Sequence, residues 1–97
     1  RSGKLMNGNT IDEFINSLFI NCDKEFLYKD KRYMLQGWLN KDGTYTLRMN
    51  EISEESPVVF LVTNKDRAYC VQKFEEALLF DGKTIYDAED DITVEYD

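Results

Sequence analysis

The sequence predicts an α+β domain, in which an antiparallel sheet of about four to five strands carries two to three helices on one face, in the order α-β-β-β-β-α-α-β. The central stretch Arg32–Asn40 alternates apolar and polar positions, which is typical of a half-buried strand. Strand-like segments flank it, joined by short polar turns. Two segments with apolar residues at helical spacing lie outside these strands and would cover the sheet.

The first helix is predicted from Ile11 to Ile20. Thr10 and Glu13 have the spacing of a capping box, which satisfies backbone N–H groups at a helix start. The apolar residues that follow recur at helical spacing and form one stripe that must pack on the sheet. These residues are Ile11, Phe14, Ile15, Leu18 and Phe19.

Three strands should form an antiparallel meander. We place them at Lys24–Lys29, Arg32–Asn40 and Thr44–Asn50. The first connection is Asp30-Lys31, which has the length of a tight turn but lacks a glycine. The second ends in Gly43, which can adopt positive φ. The Asn-x-Asp-Gly letters of this turn also occur in calcium loops, but Trp38 and Met49 would fill the first and last ligand positions, so a turn is favoured.

The second half of the chain predicts one further strand of the sheet, two helices and a last strand. Val58–Thr63 is a nearly continuous β-branched and aromatic run, which favours a strand covered on both faces or well inside the sheet. A helix through about Ala77 follows, with Thr63, Asn64 and Asp66 as cap candidates. Thr84 caps a short helix to Asp90, and Ile92–Tyr96 forms a brief strand that suits a sheet edge.

The core should join both main helices to the sheet. Its expected members are Phe14, Leu18, Leu35, Leu47, Phe60, Val71 and Phe74. Residues 1–5 precede Met6 and show no periodicity, so we interpret them as vector-derived and residues 6–97 as one domain.

Composition excludes several function classes. No run has the length of a membrane span or the form of a secretory signal, so a cytoplasmic protein is expected. The chain has no His, which removes the usual zinc ligand sets and every His-based general base, and we expect no metal, cofactor or enzyme activity. Cys22 and Cys70 could form a disulfide, but two reduced, buried thiols are favoured.

The negative charge is concentrated at one end of the sequence. Residues 81–97 hold seven acidic residues and one basic residue, so they carry −6 of the net charge of −7. Such a field repels nucleic acid and favours a basic protein partner, although solubility alone is the alternative. The candidate partner-binding acids are Asp87, Asp90, Asp91 and Glu95.

Trp38 and Met34 form a second candidate surface. The alternation places them with Gln36 on the side opposite Tyr33, Leu35, Gly37 and Leu39, which the helices should cover. An exposed Trp–Met patch is typical of a binding surface. Alternatively, the loop at 51–57 covers the patch, or a second copy does so in a homodimer.

Basic residues around the same hairpins suggest a single-strand nucleic-acid platform. They are Lys29, Lys31, Arg32, Lys41 and Arg48. Asp30 and Asp42 interrupt this set, and the overall charge is adverse, so nucleic-acid binding is disfavoured.

Several segments resemble a group of small acidic proteins of Firmicutes that are associated with mobile elements. The resemblance rests on residues 11–14, 32–37, 70–74 and 80–85 and covers the chain from about Thr10. It implies an accessory role, such as an inhibitor, immunity protein or regulator, and assigns no site residue.

The sequence thus predicts a non-enzymatic module that binds a protein partner. One alternative is an acidic DNA mimic that blocks a DNA-binding enzyme. The other is a small enzyme of unknown type, in which Cys22 or Cys70 would need activation without His.

Overall fold

The centre of the fold is β4 (Lys31–Leu39), the middle strand of a five-stranded antiparallel sheet with the order β6-β5-β4-β3-β7. The computed structural model describes the backbone of residues 4–5, 9–19 and 22–96 and the side chains of residues 13–19 and 23–93. The remaining strands of this sheet are β3 (Cys22–Tyr28), β5 (Tyr45–Glu51), β6 (Val58–Asn64) and β7 (Ile92–Tyr96). The helices are α1 (Ile11–Ser17), α2 (Arg67–Glu76), α3 (Ile85–Ala88) and a 3-10 helix (Glu89–Asp91).

The predicted fold class and element order are confirmed. The helices contribute Phe14, Phe74 and Ile85 to one core with the sheet. Six of the seven predicted core residues are buried, and Phe60 packs against them while partly buried. Aromatic rings meet at the centre, where Phe14 contacts Phe26 edge-on with 5.9 Å between centroids.

β4 separates its side chains as predicted. Tyr33 and Leu35 are buried under the helices, whereas Met34 and Trp38 lie half-buried on the opposite side, which we call the open face. Leu39 is an exception to the prediction, because it stands at the end of the strand and is 54% exposed. β3, β4 and β5 pair antiparallel in continuous register, so alternate residues share one face across these three strands.

The prediction that residues 58–63 lie inside the sheet is wrong. β6 pairs with β5 alone and forms an edge of the sheet. Val58 and Leu61 are 53% and 60% exposed. A β-branched run indicates a preference for extended backbone, and it does not report how many neighbours the strand has. The predicted edge position of β7 is confirmed.

The turn between β3 and β4 lies one residue earlier than predicted. β3 ends at Tyr28, so Lys29 and Asp30 form the connection, and Lys29 adopts a left-handed conformation with φ of 55°. Gly43 in the next turn has φ of 90°, as its predicted role requires.

The first main helix is shorter than predicted, whereas the second ends within one residue of its predicted end. α1 ends at Ser17, whose hydroxyl donates to the Phe14 carbonyl at 2.6 Å, and the chain then turns. α2 begins after Asp66, whose carboxylate accepts from the Ala68 amide at 2.9 Å and so selects one of the three cap candidates.

A separate two-stranded ladder lies near the N-terminus. β1 (Lys4–Leu5) pairs with β2 (Asn9–Thr10). Residues 4–5 therefore have paired backbone, and this ladder is separate from the main sheet. The longest described helix, α2, has ten residues, and no helix in the described part of the chain is long and apolar enough to cross a membrane.

Candidate functional site

Trp38 is the main aromatic residue of the open face. It stands near the end of β4 and is opposite Thr46 of β5 in the sheet register. The guanidinium of Arg48 lies over the indole ring, 5.0 Å from its centroid. A cation at this distance is attracted to the negative face of the ring. The pair presents a flat aromatic group and a positive charge on the same surface.

A hydrogen-bonded network fixes the indole in this position. Trp38 Nε1 donates to Asn40 Oδ1 at 3.0 Å. The Asn40 amide nitrogen donates to the hydroxyl oxygens of Thr44 at 3.0 Å and Thr46 at 2.8 Å. The Thr46 and Thr63 hydroxyl oxygens lie 2.8 Å apart, which extends the network to the edge strand. Trp38 is therefore held on one side by Arg48 and on the other by the turn after β4.

Asp42 fixes the same turn. One carboxylate oxygen accepts from the Thr44 hydroxyl at 2.6 Å and from the Thr44 amide at 3.0 Å. These bonds favour the charged carboxylate, so the pKa of Asp42 lies below its ordinary value, chiefly because of the Thr44 hydroxyl. The letters that resemble a calcium loop thus serve a turn, as predicted.

Polar and apolar groups surround the Trp38–Arg48 pair. Arg48 also donates to Gln36 Oε1 at 2.7 Å. Leu61 of β6 is opposite Arg48 and adds an exposed apolar border. Within the described chain, Arg48 Nε and Asn50 Oδ1 are buried without a hydrogen-bond partner. A buried polar atom without a hydrogen bond lowers the stability of the fold, so a rearrangement that gave these two atoms hydrogen-bond partners would be favourable.

The acidic candidates lie at the other end of the sheet. Asp87, Asp90 and Asp91 are exposed on α3 and the 3-10 helix, and the Asp91 carbonyl accepts from the Lys29 amide at 3.3 Å beside the β3–β4 turn. Trp38 lies next to the opposite turn, seven residues along β4 from Lys31, which spans roughly 23 Å. The sequence-predicted site residues therefore form two surfaces. Glu95 belongs to β7, but its side chain lies outside the described residues.

Glu89 departs from the pattern of the acidic segment. Glu89, Asp90 and Asp91 are adjacent acids in the sequence, but the Glu89 side chain is only 2% exposed, whereas Asp90 and Asp91 are exposed. The 3-10 geometry turns one of the three acids inward, which residue type alone does not reveal.

The basic residues do not form a continuous patch. Arg32 is paired with Glu25 at 3.0 Å, and Arg48 covers Trp38. Lys29 lies 3.3 Å from Asp81 at the acidic end of the sheet. These positions separate the cations that a nucleic-acid platform would need together.

A cleft of about 220 Å³ opens beside the β3–β4 turn. The Tyr28 hydroxyl donates to Asp81 Oδ2 at 3.1 Å, and Lys29 donates to the same oxygen. The Lys29 hydrogen bond is the main reason that the pKa of Asp81 lies below its ordinary value. Burial raises the pKa of the Tyr33 hydroxyl on the cleft wall. Lys29 and Asp81 therefore neutralise each other in the cleft.

Cys70 does not have the surroundings of a nucleophile. It lies fully buried on α2, is not in a disulfide, and its sulfur is 3.5 Å from the Tyr45 carbonyl. Burial raises the pKa of the thiol, which disfavours the reactive thiolate. The described residues contain no group of three or more His, Cys, Asp or Glu that could hold a metal ion.

Comparisons with models of protein families, curated proteins and solved structures found no match. The resemblance to small acidic Firmicutes proteins therefore stays a prediction.

Proposed function

We propose that this chain is a non-enzymatic interaction module that binds a protein partner through the open face around Trp38. The observation that carries this proposal is the indole itself, which is half-buried, stacked by Arg48 and hydrogen-bonded to Asn40 on a sheet face opposite the helices.

The residue types on this face support binding to protein. Trp and Arg are the side chains that most often dominate the energy of protein interfaces. Here both are already held by neighbours, so they lose little rotational freedom when a partner docks. Met34 on the same face offers a flexible side chain that adapts to the partner's shape.

The charge distribution favours a basic partner. With a net charge of −7, the chain attracts a protein of opposite sign, and this attraction raises the rate of association. The chain itself would then act as an accessory inhibitor or regulator of this basic partner. We place this interaction in the cytoplasm as part of the same proposal.

An acidic DNA mimic is the second candidate. Asp87, Asp90 and Asp91 support it, because they are exposed on short helices that hold their backbone in place. Against it, Lys29 and Lys31 lie at the same end of the sheet and weaken the local negative field.

Affinity capture from the source organism, followed by mass spectrometry, would identify the partner, and its dissociation constant would then be measured with purified proteins. Trp38→Ala should weaken binding by at least about 2 kcal/mol, roughly 30-fold. Tyr69→Ala is the matched control, because Tyr69 is an exposed aromatic residue on α2. Equal affinities for Trp38→Ala and the parent would contradict the proposal.

The interaction module and the DNA mimic differ in how strongly partner binding depends on the C-terminal acidic residues. A variant with Asp87, Asp90 and Asp91 changed to Asn and Glu95 to Gln should retain the partner of the Trp38 face but bind it more slowly at low salt. A DNA mimic would instead lose its partner, which would be a nucleic-acid-binding protein whose DNA binding the parent chain blocks.

A further inference from the structure

β6 is an edge strand whose sequence lacks the lysine and proline that commonly protect an edge against pairing. Its seven residues contain no charged residue and no proline, since Pro57 precedes the strand. Proteins commonly protect edges with lysine, proline or a bulge, because an edge presents unpaired N–H and C=O groups along its length. A register shift near Asn50 interrupts one end of β6, but the stretch from Phe60 to Asn64 pairs regularly with β5 and leaves its other side open.

The side chains of β6 add an apolar surface to this edge. Leu61 is 60% exposed on the open face, and Val59 is 38% exposed. On the helix face, Phe60 and Val62 are only partly buried. The strand therefore keeps apolar side chains accessible on both faces, beside its unpaired backbone.

We propose that β6 pairs with β6 of a second copy of this chain, antiparallel and centred on Leu61, to form a continuous ten-stranded sheet across the dimer. Leu61 is the fourth of the seven residues, so this register aligns the two strands along their length, with regular pairing at the centre and the register shift of each copy at the two ends. It places Val59 opposite Thr63 and Phe60 opposite Val62 of the second copy. A twofold axis relates antiparallel strands in this way, as in most homodimers.

Charges at the two ends of β6 favour a second copy in this orientation. Glu54 and Glu55 precede the strand, and Lys65, Asp66 and Arg67 follow it with a net charge of +1. The side chains of Glu54, Glu55 and Lys65 are exposed, and none of these three has an ion-pair partner among the described residues. Antiparallel pairing brings the acidic end of one copy to Lys65 of the other. A parallel arrangement would place like charges together.

The expected dimer is reversible. A contact made mainly by one strand from each copy is smaller than a standard interface of about 800 Å² per partner. Dilution should therefore release monomers. Trp38 itself lies two strands away from β6, but Leu61 and Thr63 of β6 border its surface, so the dimer contact adjoins the open face. The inference is argued from the β6 edge and does not rest on the proposed function.

Sedimentation velocity over a dilution series of the full chain tests the proposal, with Leu61→Lys as the main variant. This change places two lysines opposite each other at the twofold axis and should raise the dimer dissociation constant at least tenfold. Leu39→Lys is the control, because Leu39 is similarly exposed but lies in the central strand. A parent chain that stays monomeric at every concentration would overturn the proposal, as would a dimer that Leu61→Lys leaves unchanged.

A charge exchange distinguishes edge pairing from other dimers. Lys65→Glu should weaken the dimer, and Glu55→Lys added to it should restore it, since the two ends then attract again. Hydrogen exchange should show β6 amides that are protected at high protein concentration and exposed after dilution. Dimerisation without this change in β6 would place the contact elsewhere and refute the proposed register.

Discussion

Lys29 and Asp81 meet across 52 positions of sequence, with 3.3 Å between Nζ and Oδ2, and each has left-handed backbone, with φ of 55° and 56°. The contact joins the β3–β4 turn to the chain that enters α3. Left-handed backbone is unfavourable for residues with a Cβ atom. Two such residues at one contact indicate that neighbouring structure holds both in place.

Replacing Lys29 separates the backbone effect from the ion pair. Lys29→Ala removes the exposed ion pair, whose contribution solvent screening keeps small, and keeps the unfavourable φ. Lys29→Gly removes the same ion pair but accepts the left-handed conformation, so it should be about 1 kcal/mol more stable than Lys29→Ala. Urea denaturation of the two variants measures this difference, and equal stabilities would show that the turn changes conformation when Lys29 is replaced.

The same pair should make stability depend on pH. The pKa of Asp81 is lowered in the folded state, mainly by Lys29, so the folded chain binds fewer protons there than the unfolded chain. The contribution of Asp81 to the free energy of unfolding is therefore fully present above the ordinary aspartate pKa of about 4. It is lost as the pH falls through the lower pKa of the folded state. The pKa of Lys29 is raised, mainly by Asp81, so its contribution is present below the ordinary lysine pKa and is lost as the pH rises through the folded value.

Asp81→Asn measures the acid side of this dependence. The difference in urea midpoint between parent and variant should be present at neutral pH and disappear in acid, below the folded pKa of Asp81. Asp87→Asn is the control, because Asp87 is also an exposed aspartate of the same segment. A difference that persists in strong acid would show that the asparagine acts through the turn and not through charge.

The core assignment predicts large losses at two positions. Leu35 is fully buried in β4, and Phe74 is 1% exposed on α2 between the rings of Phe14 and Phe60. Replacing either by Ala should lower the free energy of unfolding by about 2–5 kcal/mol through lost contacts and a cavity. Chemical denaturation checks this, with exposed Leu39→Ala as the control, which should change stability by less than about 0.5 kcal/mol.

Trp38 provides a direct optical test of the open face, because it is the single tryptophan of the chain. Its half-buried indole should be accessible to a soluble quencher at low protein concentration. Arg48→Ala should increase quenching, since the guanidinium covers the ring. An emission maximum typical of a buried indole, unchanged by quencher and dilution, would contradict the exposed position of this face.

Sequence periodicity could predict the layers but not the contacts between strands. The alternation around Leu35 and Trp38 identifies the two faces of β4 because side chains alternate strictly along a strand. The roles of Asn40, Thr46 and Thr63 depend on the register of three strands. The sequence does show polar residues at alternate positions in Thr44, Thr46 and Arg48. This alternation indicates a polar strand face, but it does not reveal which side chains form hydrogen bonds with one another.

The position of the β3–β4 turn and the burial of Glu89 escaped the sequence analysis for local reasons. The predicted β3–β4 turn lies one residue too late because the sequence has no glycine at this turn. Lys29 adopts the left-handed conformation that a glycine would favour. The inward Glu89 could not be recognised among neighbouring acids, because the 3-10 helix changes the periodicity that the sequence pattern implies.

The strand order also has a consequence for the sequence of folding events. β3 to β6 are consecutive hairpins, so each pairing closes a short loop, whereas β7 must bring residues 92–96 back to residues 25–28. Closing so long a loop costs more chain entropy and is slower. During synthesis, the β3 edge stays unpaired until Ile92–Tyr96 has emerged. Other strands can reach the β3 edge until β7 pairs with it. The acidic residues before and within β7 emerge only at the end of that interval, so their repulsion between chains protects the completed edge and not the open one.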